Sequence, residues 1–178
     1  MKKFIFLFAL ISFTAVGQET KNFKIESYEL IWQYVYETDL TQEEVLQNLS
    51  TKGIWESFEK VGDELIAISS NMDANYKPLG YGEMSVPMYV ARMFVNFHSL
   101  IEIKDGRYRV TISNIQLVQK YDDPLFKQGQ VISLKDFAIN KKGEFKRMFL
   151  GKASDIYNHT FKTALEIKKK EEEEGDDW

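Results

Sequence analysis

From Ile25 the chain alternates apolar and polar positions with a period of two, which predicts a strand. Tyr28, Leu30, Trp32, Tyr34 and Tyr36 share one face of it, while Ile31 and Val35 on the other face imply partial burial on both sides. The period then lengthens. Leu40-Thr41-Gln42-Glu43-Glu44-Val45 has the form of a capping box, in which Thr41 caps, Glu44 reaches back to it, and Leu40 staples against Val45. Val45, Leu46, Leu49, Ile54, Trp55, Phe58 and Val61 continue at helical spacings, so the pattern predicts one helix that Gly53 bends and Gly62 ends. Glu64–Ser70 reads as a further strand. The stretch MDANYKPLGYGEMSVP, residues 72–87, is rich in Gly, Pro, Asn and Asp and predicts a loop or an interrupted edge strand.

A long alternating run follows, with Tyr89, Ala91, Met93, Val95, Phe97, Ile101 and Ile103 on one parity and Ser99 as its polar member. Asp105-Gly106 marks a type I′ hairpin turn. Pairing Lys104 with Arg107 sets Ile103 opposite Tyr108, Ile101 opposite Val110 and Ser99 opposite Ile112, so the apolar faces coincide. The same register places Glu102 opposite Arg109, an attractive cross-strand pair. Beyond Ile112 the apolar parity moves to Ile115 and Leu117, which predicts a bulge near Ser113-Asn114.

Residues 119–152 are less regular. QKYDDPLFKQG reads as a loop, and VISLKDFAI and KKGEFKRMFL as strands or short helical turns. A final helix is expected from about Ser154, burying Ile156, Tyr157, Thr160, Phe161, Ala164, Leu165 and Ile167. The closing KKKEEEEGDDW, residues 168–178, reads as a frayed, disordered tail.

The N-terminus changes the picture of where the chain goes. Lys2 and Lys3 precede the apolar run Phe4–Val16, the pattern of a secretory signal peptide. That run is shorter than the about 20 apolar residues a membrane-spanning helix needs, so no stable membrane anchor is expected after cleavage. Ala15 and Gly17 supply the small residues of a cleavage site, placing the signal at residues 1–17 and the mature start at Gln18. Removing 17 of 178 residues leaves 161, one ordinary domain over residues 18–167 plus the tail. With two lysines gone, 21 basic residues face 27 acidic ones, a balance that supplies no overall pull toward nucleic acid. The chain has no cysteine, which excludes disulfides and thiol chemistry and fits an exported bacterial envelope protein, periplasmic or secreted.

Candidate chemistry is sparse. No glycine-rich phosphate loop is present, because Gly80-Tyr81-Gly82 leads into Glu83-Met84-Ser85 rather than a helix start. His98 has the solvent-facing parity of its strand, and His159 lies beside the buried stripe of the last helix as a surface polar residue. Asp122-Asp123 before Pro124 favours a turn over a paired-carboxylate site. No cofactor, metal ligand set or catalytic residue is assigned. The best contact candidates are Tyr76, Tyr81, Met84 and Met88, since Tyr and Met suit adaptable recognition.

IEIKDGRYRVTISNI, residues 101–115, resembles the hallmark hairpin of a family of exported bacterial proteins, a domain of unknown function with a TATA-binding-protein-like fold. Lys104, Asp105, Gly106, Arg107, Tyr108, Arg109 and Thr111 meet its pattern; Val110 stands where the family usually has an aromatic residue. The order of elements is similar from Ile25 to Val118. The resemblance implies a curved antiparallel sheet with helices on one face and no established activity. The expected fold is α+β, with five or six antiparallel strands and two main helices. The expected function is a non-catalytic module binding a small molecule or protein partner through a sheet edge or the 76–88 loop. The alternative is a small-ligand or lipid-binding protein, or a hydrolase, using a cavity between sheet and helices.

Overall fold

The computed structural model describes residues 19–62, 64–104 and 106–167. The expected signal peptide with its cleavage after Gly17, the charged tail 168–178, and the turn residue Asp105 lie outside the described residues. The elements in order are β1 (Glu19–Thr20), β2 (Phe23–Glu26), β3 (Glu29–Glu37), α1 (Gln42–Ser50), β4 (Trp55–Val61), β5 (Glu64–Ser69), α2 (Met88–Arg92), β6 (Met93–Lys104), β7 (Arg107–Gln119), β8 (Val131–Ser133), α3 (Leu134–Ala138) and α4 (Ser154–Leu165). The strands form one antiparallel sheet in the order β1-β2-β3-β7-β6-β5-β4, with β8 paired to the far end of β7. Six strands have four residues or more, and α1 and α4 are the two main helices. The fold is α+β, as the pattern implies. No described helix is long and apolar enough to cross a membrane.

The central hairpin has the register its turn and parity demand: Lys104 faces Arg107, Ile103 faces Tyr108, Ile101 faces Val110 and Ser99 faces Ile112. Glu102 and Arg109 make a two-pronged ion pair, with Arg109 Nε and Nη2 donating to Oε2 and Oε1 at 2.7 and 2.6 Å. Arg109 also holds the Glu102 carboxyl below its usual range by that hydrogen bond. Asn96 faces Gln116 but His98 faces Ser113, so one extra residue sits in β7, where Asn114 takes φ +47°. This is the bulge, and it moves Ile115 and Leu117 onto the buried face.

Three elements differ from the sequence pattern. The expected strand from Ile25 is a hairpin, because Ser27 and Tyr28 both adopt positive φ and fold β2 back on β3. Tyr28 therefore stands 62% exposed at the turn, and Phe23 takes a buried place opposite Trp32. Neither turn residue is a usual type I′ choice, so the local signal is absent.

The long helix stops at Ser50, and Ile54–Val61, read as its continuation, leads into and forms β4. Its apolar spacing fits either structure. The decision comes from Gly62, whose φ of +65° makes it the turn to β5, and from Ile54, whose carbonyl accepts from the Ser70 amide at 2.9 Å. Val61, inward in a helix, is 56% exposed in the strand.

Residues 88–92 form a short helix rather than the start of β6, with Pro87 at its N-cap. Tyr89 and Val90 are adjacent and both buried, which one face of a strand cannot achieve. From Met93 the alternation is real.

The capping box at α1 forms as read: the Glu44 amide donates to Thr41 Oγ1, and the Thr41 amide donates to Glu44 Oε2 at 2.8 Å. Helix α4 lies across the sheet and buries Ile156, Tyr157, Thr160, Phe161 and Leu165. Phe161 is its pivot, with its ring 5.2 Å from Phe97, 5.5 Å from Trp32 and 6.2 Å from Phe23. Ala164 is half-buried and Ile167 lies past the helix end.

Candidate functional site

Strand β3 is covered along only part of its outer edge. β2 pairs with it from Glu29 to Trp32, and the ladder ends where the Gln33 amide donates to the Asn22 carbonyl at 2.9 Å. There Lys21 and Asn22, at φ +47° and +68°, turn the chain away into β1. On its inner edge β3 pairs with β7 through Glu37, and the Thr38 amide donates to the Gly106 carbonyl. Main-chain groups alternate sides along an antiparallel strand, so those of Val35 and Glu37 point to the outer side. None of the described residues pairs with them there.

This free edge opens on a cleft of about 640 Å³ along the flank of α4. Tyr34, Tyr36 and Tyr108 form its sheet wall, and Asn158, His159 and Lys162 contribute from the helix. The walls are fixed by contacts of distant sequence origin. Asn158 Oδ1 accepts from Trp32 Nε1 at 3.0 Å and Asn22 Nδ2 at 2.8 Å, which seats the first half of α4 on the β2–β3 hairpin. Tyr36 donates to the Lys162 carbonyl at 3.1 Å and Tyr108 to the Leu165 carbonyl at 2.9 Å, closing the last turn of the helix. Burial pushes both phenols well above the usual tyrosine range, so they stay neutral donors. The Lys162 ammonium lies 4.1 Å from the centre of the Tyr34 ring.

The far rim comes from the 72–87 loop. Its Asn75 amide donates to Thr160 Oγ1 at 2.8 Å, which brings Leu79 and Tyr81 over α4. That packing shields His159 Nε2, which has no hydrogen-bond partner among the described residues. His159 is therefore half-buried in the cleft wall rather than on the open helix surface, because the loop that covers it is distant in sequence. Its carbonyl accepts from the Thr163 hydroxyl, and Asp155 pairs with Lys21, so neither side chain forms a nucleophile–base pair with the imidazole. His98 is exposed on β6, as its parity requires, 3.2 Å from Asn114 Nδ2.

The four loop candidates separate. Tyr81 joins the cleft, with Lys152 5.1 Å from its ring centre. Tyr76 packs on the core and lines a different hollow beside Asp73 and Lys120. Met84 and Met88 share a third, shallower hollow with Val86 and Arg92. The Asp122-Asp123 pair is a loop device. Asp123 Oδ1 accepts from the Leu125 and Phe126 amides, both at 2.8 Å, and these bonds, that of Phe126 foremost, hold its carboxyl below the usual range. The sequence points to a sheet edge without saying which strand carries it, because the Ser27-Tyr28 turn that leaves part of β3 uncovered has no local signal.

No family model matches the chain, and no curated protein matches it. Among solved structures, the chain is similar to a TBP-like protein from Parabacteroides distasonis ATCC 8503, at 12% identity and a TM-score of 0.45, over 76% of this chain and 85% of that one. It is also similar to a DUF4468 family protein from Bacteroides ovatus ATCC 8483, at 10% identity and a TM-score of 0.46, over 87% of this chain and 93% of that one. At these identities the likeness concerns the fold alone.

Proposed function

We propose that the protein is an exported, non-catalytic envelope module that holds an extended segment of a partner protein as an added strand on the free edge of β3. The observation that carries this reading is the outward main-chain pairing capacity of Val35 and Glu37 beside the α4 cleft. Strand addition draws affinity from main-chain hydrogen bonds and specificity from alternate side chains. An added strand here would send one set of side chains toward Lys162, His159 and Tyr81. The other set would lie by Val35, beside a smaller hollow lined by Glu102, Lys104, Arg107 and Arg109.

Two features favour this over the ligand-cavity or hydrolase alternative. Trp32, Phe97, Phe149 and Phe161, all buried, fill the interior between sheet and helices, and the α4 cleft lies outside that interior along the free edge of β3. The other sheet edges are poorer candidates: β1 and β8 have only two and three residues, and β4 is lined by Glu56, Glu59 and Lys60, charged residues that blunt an edge. Tyr81 serves as a cleft wall in this reading, while Tyr76, Met84 and Met88 lie outside it.

The test is a library of short randomised peptides screened against the chain from Gln18. Val35→Pro removes the outward amide while leaving the β7 ladder intact. Bound peptides should lose affinity both for this variant and when their own backbone is N-methylated, with the melting temperature nearly unchanged. Peptide binding that survives both changes would overturn the reading.

A further inference from the structure

The exposed large apolar side chains of this protein gather at one end of the sheet. The register defines that end: Met93 faces Gln119 there, the Ser27-Tyr28 turn closes β2 on β3 there, and α4 begins there. Met84 is 98% exposed and Met148 77%, Tyr28, Leu125 and Leu150 stand exposed on neighbouring segments, and Met88 stands exposed at the start of α2. Two contacts tie these segments together. Lys152 Nζ donates to the Ser85 carbonyl at 2.7 Å, and Gly143 packs against the Tyr28 ring. Val35, Val61 and Ile66 are exposed elsewhere, singly, as surface apolar residues commonly are.

Charge is uneven along the sequence. Residues 119–152 carry eight Lys and Arg against four Asp and Glu, whereas the whole chain has 23 against 27, leaving 15 against 23 outside this segment. Lys141, Lys142, Arg147 and Lys152 are exposed around Met148 and Leu150, and none forms an ion pair among the described residues. Residues 141–152, around Met148 and Leu150, carry five Lys and Arg against Glu144 alone, so an acidic protein presents a local basic patch beside its protruding Met and Leu side chains.

We propose that this end of the sheet docks reversibly on an anionic lipid surface, with Met84, Met148 and Leu150 entering the headgroup layer and Lys141, Lys142 and Arg147 facing lipid phosphates. Apolar side chains alone would suit any partner, but flanking cations select a negatively charged surface. Unbranched methionines lose little on entering a disordered lipid layer. The docked orientation leaves the free edge of β3 uncovered, because Val35 and Glu37 lie toward the opposite end of their strand. This inference stands apart from strand addition, and either can fail without the other.

The experiment is vesicle co-sedimentation of the chain from Gln18, which excludes the apolar run Phe4–Val16. Vesicles of phosphatidylcholine alone are compared with phosphatidylcholine and phosphatidylglycerol in about a 3:1 ratio. Binding is expected only to the anionic vesicles, weakening as salt rises, and about five-fold lower for each of Lys141→Gln, Lys142→Gln and Arg147→Gln. Met84→Ser and Met148→Ser should each weaken binding while leaving its salt dependence unchanged. Absence of vesicle binding, equal binding to neutral vesicles, or indifference to these substitutions would overturn the proposal. Binding to soluble polyglutamate without binding to vesicles would likewise overturn it and assign the surface to an acidic protein.

Discussion

The rings of Tyr36 and Tyr108 stack on adjacent strands with centroids 4.7 Å apart and planes 9° from parallel, and both hydroxyls reach the last turn of α4. The Tyr108 hydroxyl does double duty, donating to the Leu165 carbonyl and accepting from the Ile167 amide at 3.1 Å. Tyr108→Phe keeps the stacked ring and removes both bonds. We expect it to destabilise the fold by about 1–3 kcal/mol, because the buried Leu165 carbonyl and the half-buried Ile167 amide lose their partner. Chemical denaturation of the variant would measure this, and an unchanged midpoint would contradict the role assigned to the hydroxyl.

Alkaline pH should unfold the protein through its buried phenols. Burial raises Tyr36, Tyr108 and Tyr157 far above the usual value near 10, and Tyr89 up to about 12. An unfolded chain ionises all of them near pH 10. Their contribution is therefore complete below about pH 10 and declines as pH rises toward the folded-state values, by about 1.4 kcal/mol per pH unit for each phenol that remains neutral. Circular dichroism melts across this range, with phenolate absorbance followed in parallel, should show the last phenolate step, that of the four buried tyrosines, coinciding with unfolding. Ionisation of all nine tyrosines in a fully folded protein would contradict it.

Gly106 has φ +74°, a conformation that costs a side-chain-bearing residue about 1–2 kcal/mol. A Cβ there would lie 4.0 Å from the Thr38 carbonyl oxygen, so strain rather than collision sets the penalty. Gly106→Val should lower the melting temperature clearly, and Gly106→Asn much less, since Asn tolerates this region. Equal melting temperatures for the two variants would count against a strained turn.

Export is checked by the mass of the protein recovered from a bacterial envelope fraction. It should begin at Gln18, in open or cyclised form. Intact Met1 in that fraction would refute the cleavage site.

Much of the fold was legible locally. The hairpin register followed from the position of Asp105-Gly106 and the parity of Ile101, Ile103, Tyr108 and Val110, because turn chemistry and side-chain alternation both act between near neighbours. The capping box at Thr41 and Glu44 was legible for the same reason. Trp55 and Phe58 misled because their spacing fits a helix as well as a strand. Tyr28 misled because a tyrosine seldom adopts positive φ, and the pairing of β2 with β3 holds it there against its preference.

The candidate site was less legible still. Tyr81 was visible as a recognition-prone side chain in a glycine-flanked loop, but its separation from Tyr76 and Met84 depends on how that loop crosses α4 through the Asn75–Thr160 contact. The edge at Val35 and Glu37 has no residue signature, since any side chain can accompany an unpaired main chain.

By itself, then, the sequence determined what short-range forces decide: the caps, the central turn and bulge, the inward parity of β6 and β7, and the absence of thiol chemistry. Tertiary structure alone decided that Ile54–Val61 would lead into and form a strand beside β5, that His159 would be shielded, and that β3 would keep a free edge. Each of those depends on whether a distant segment supplies a hydrogen-bonding partner, and main-chain pairing carries no sequence information until both strands are in place.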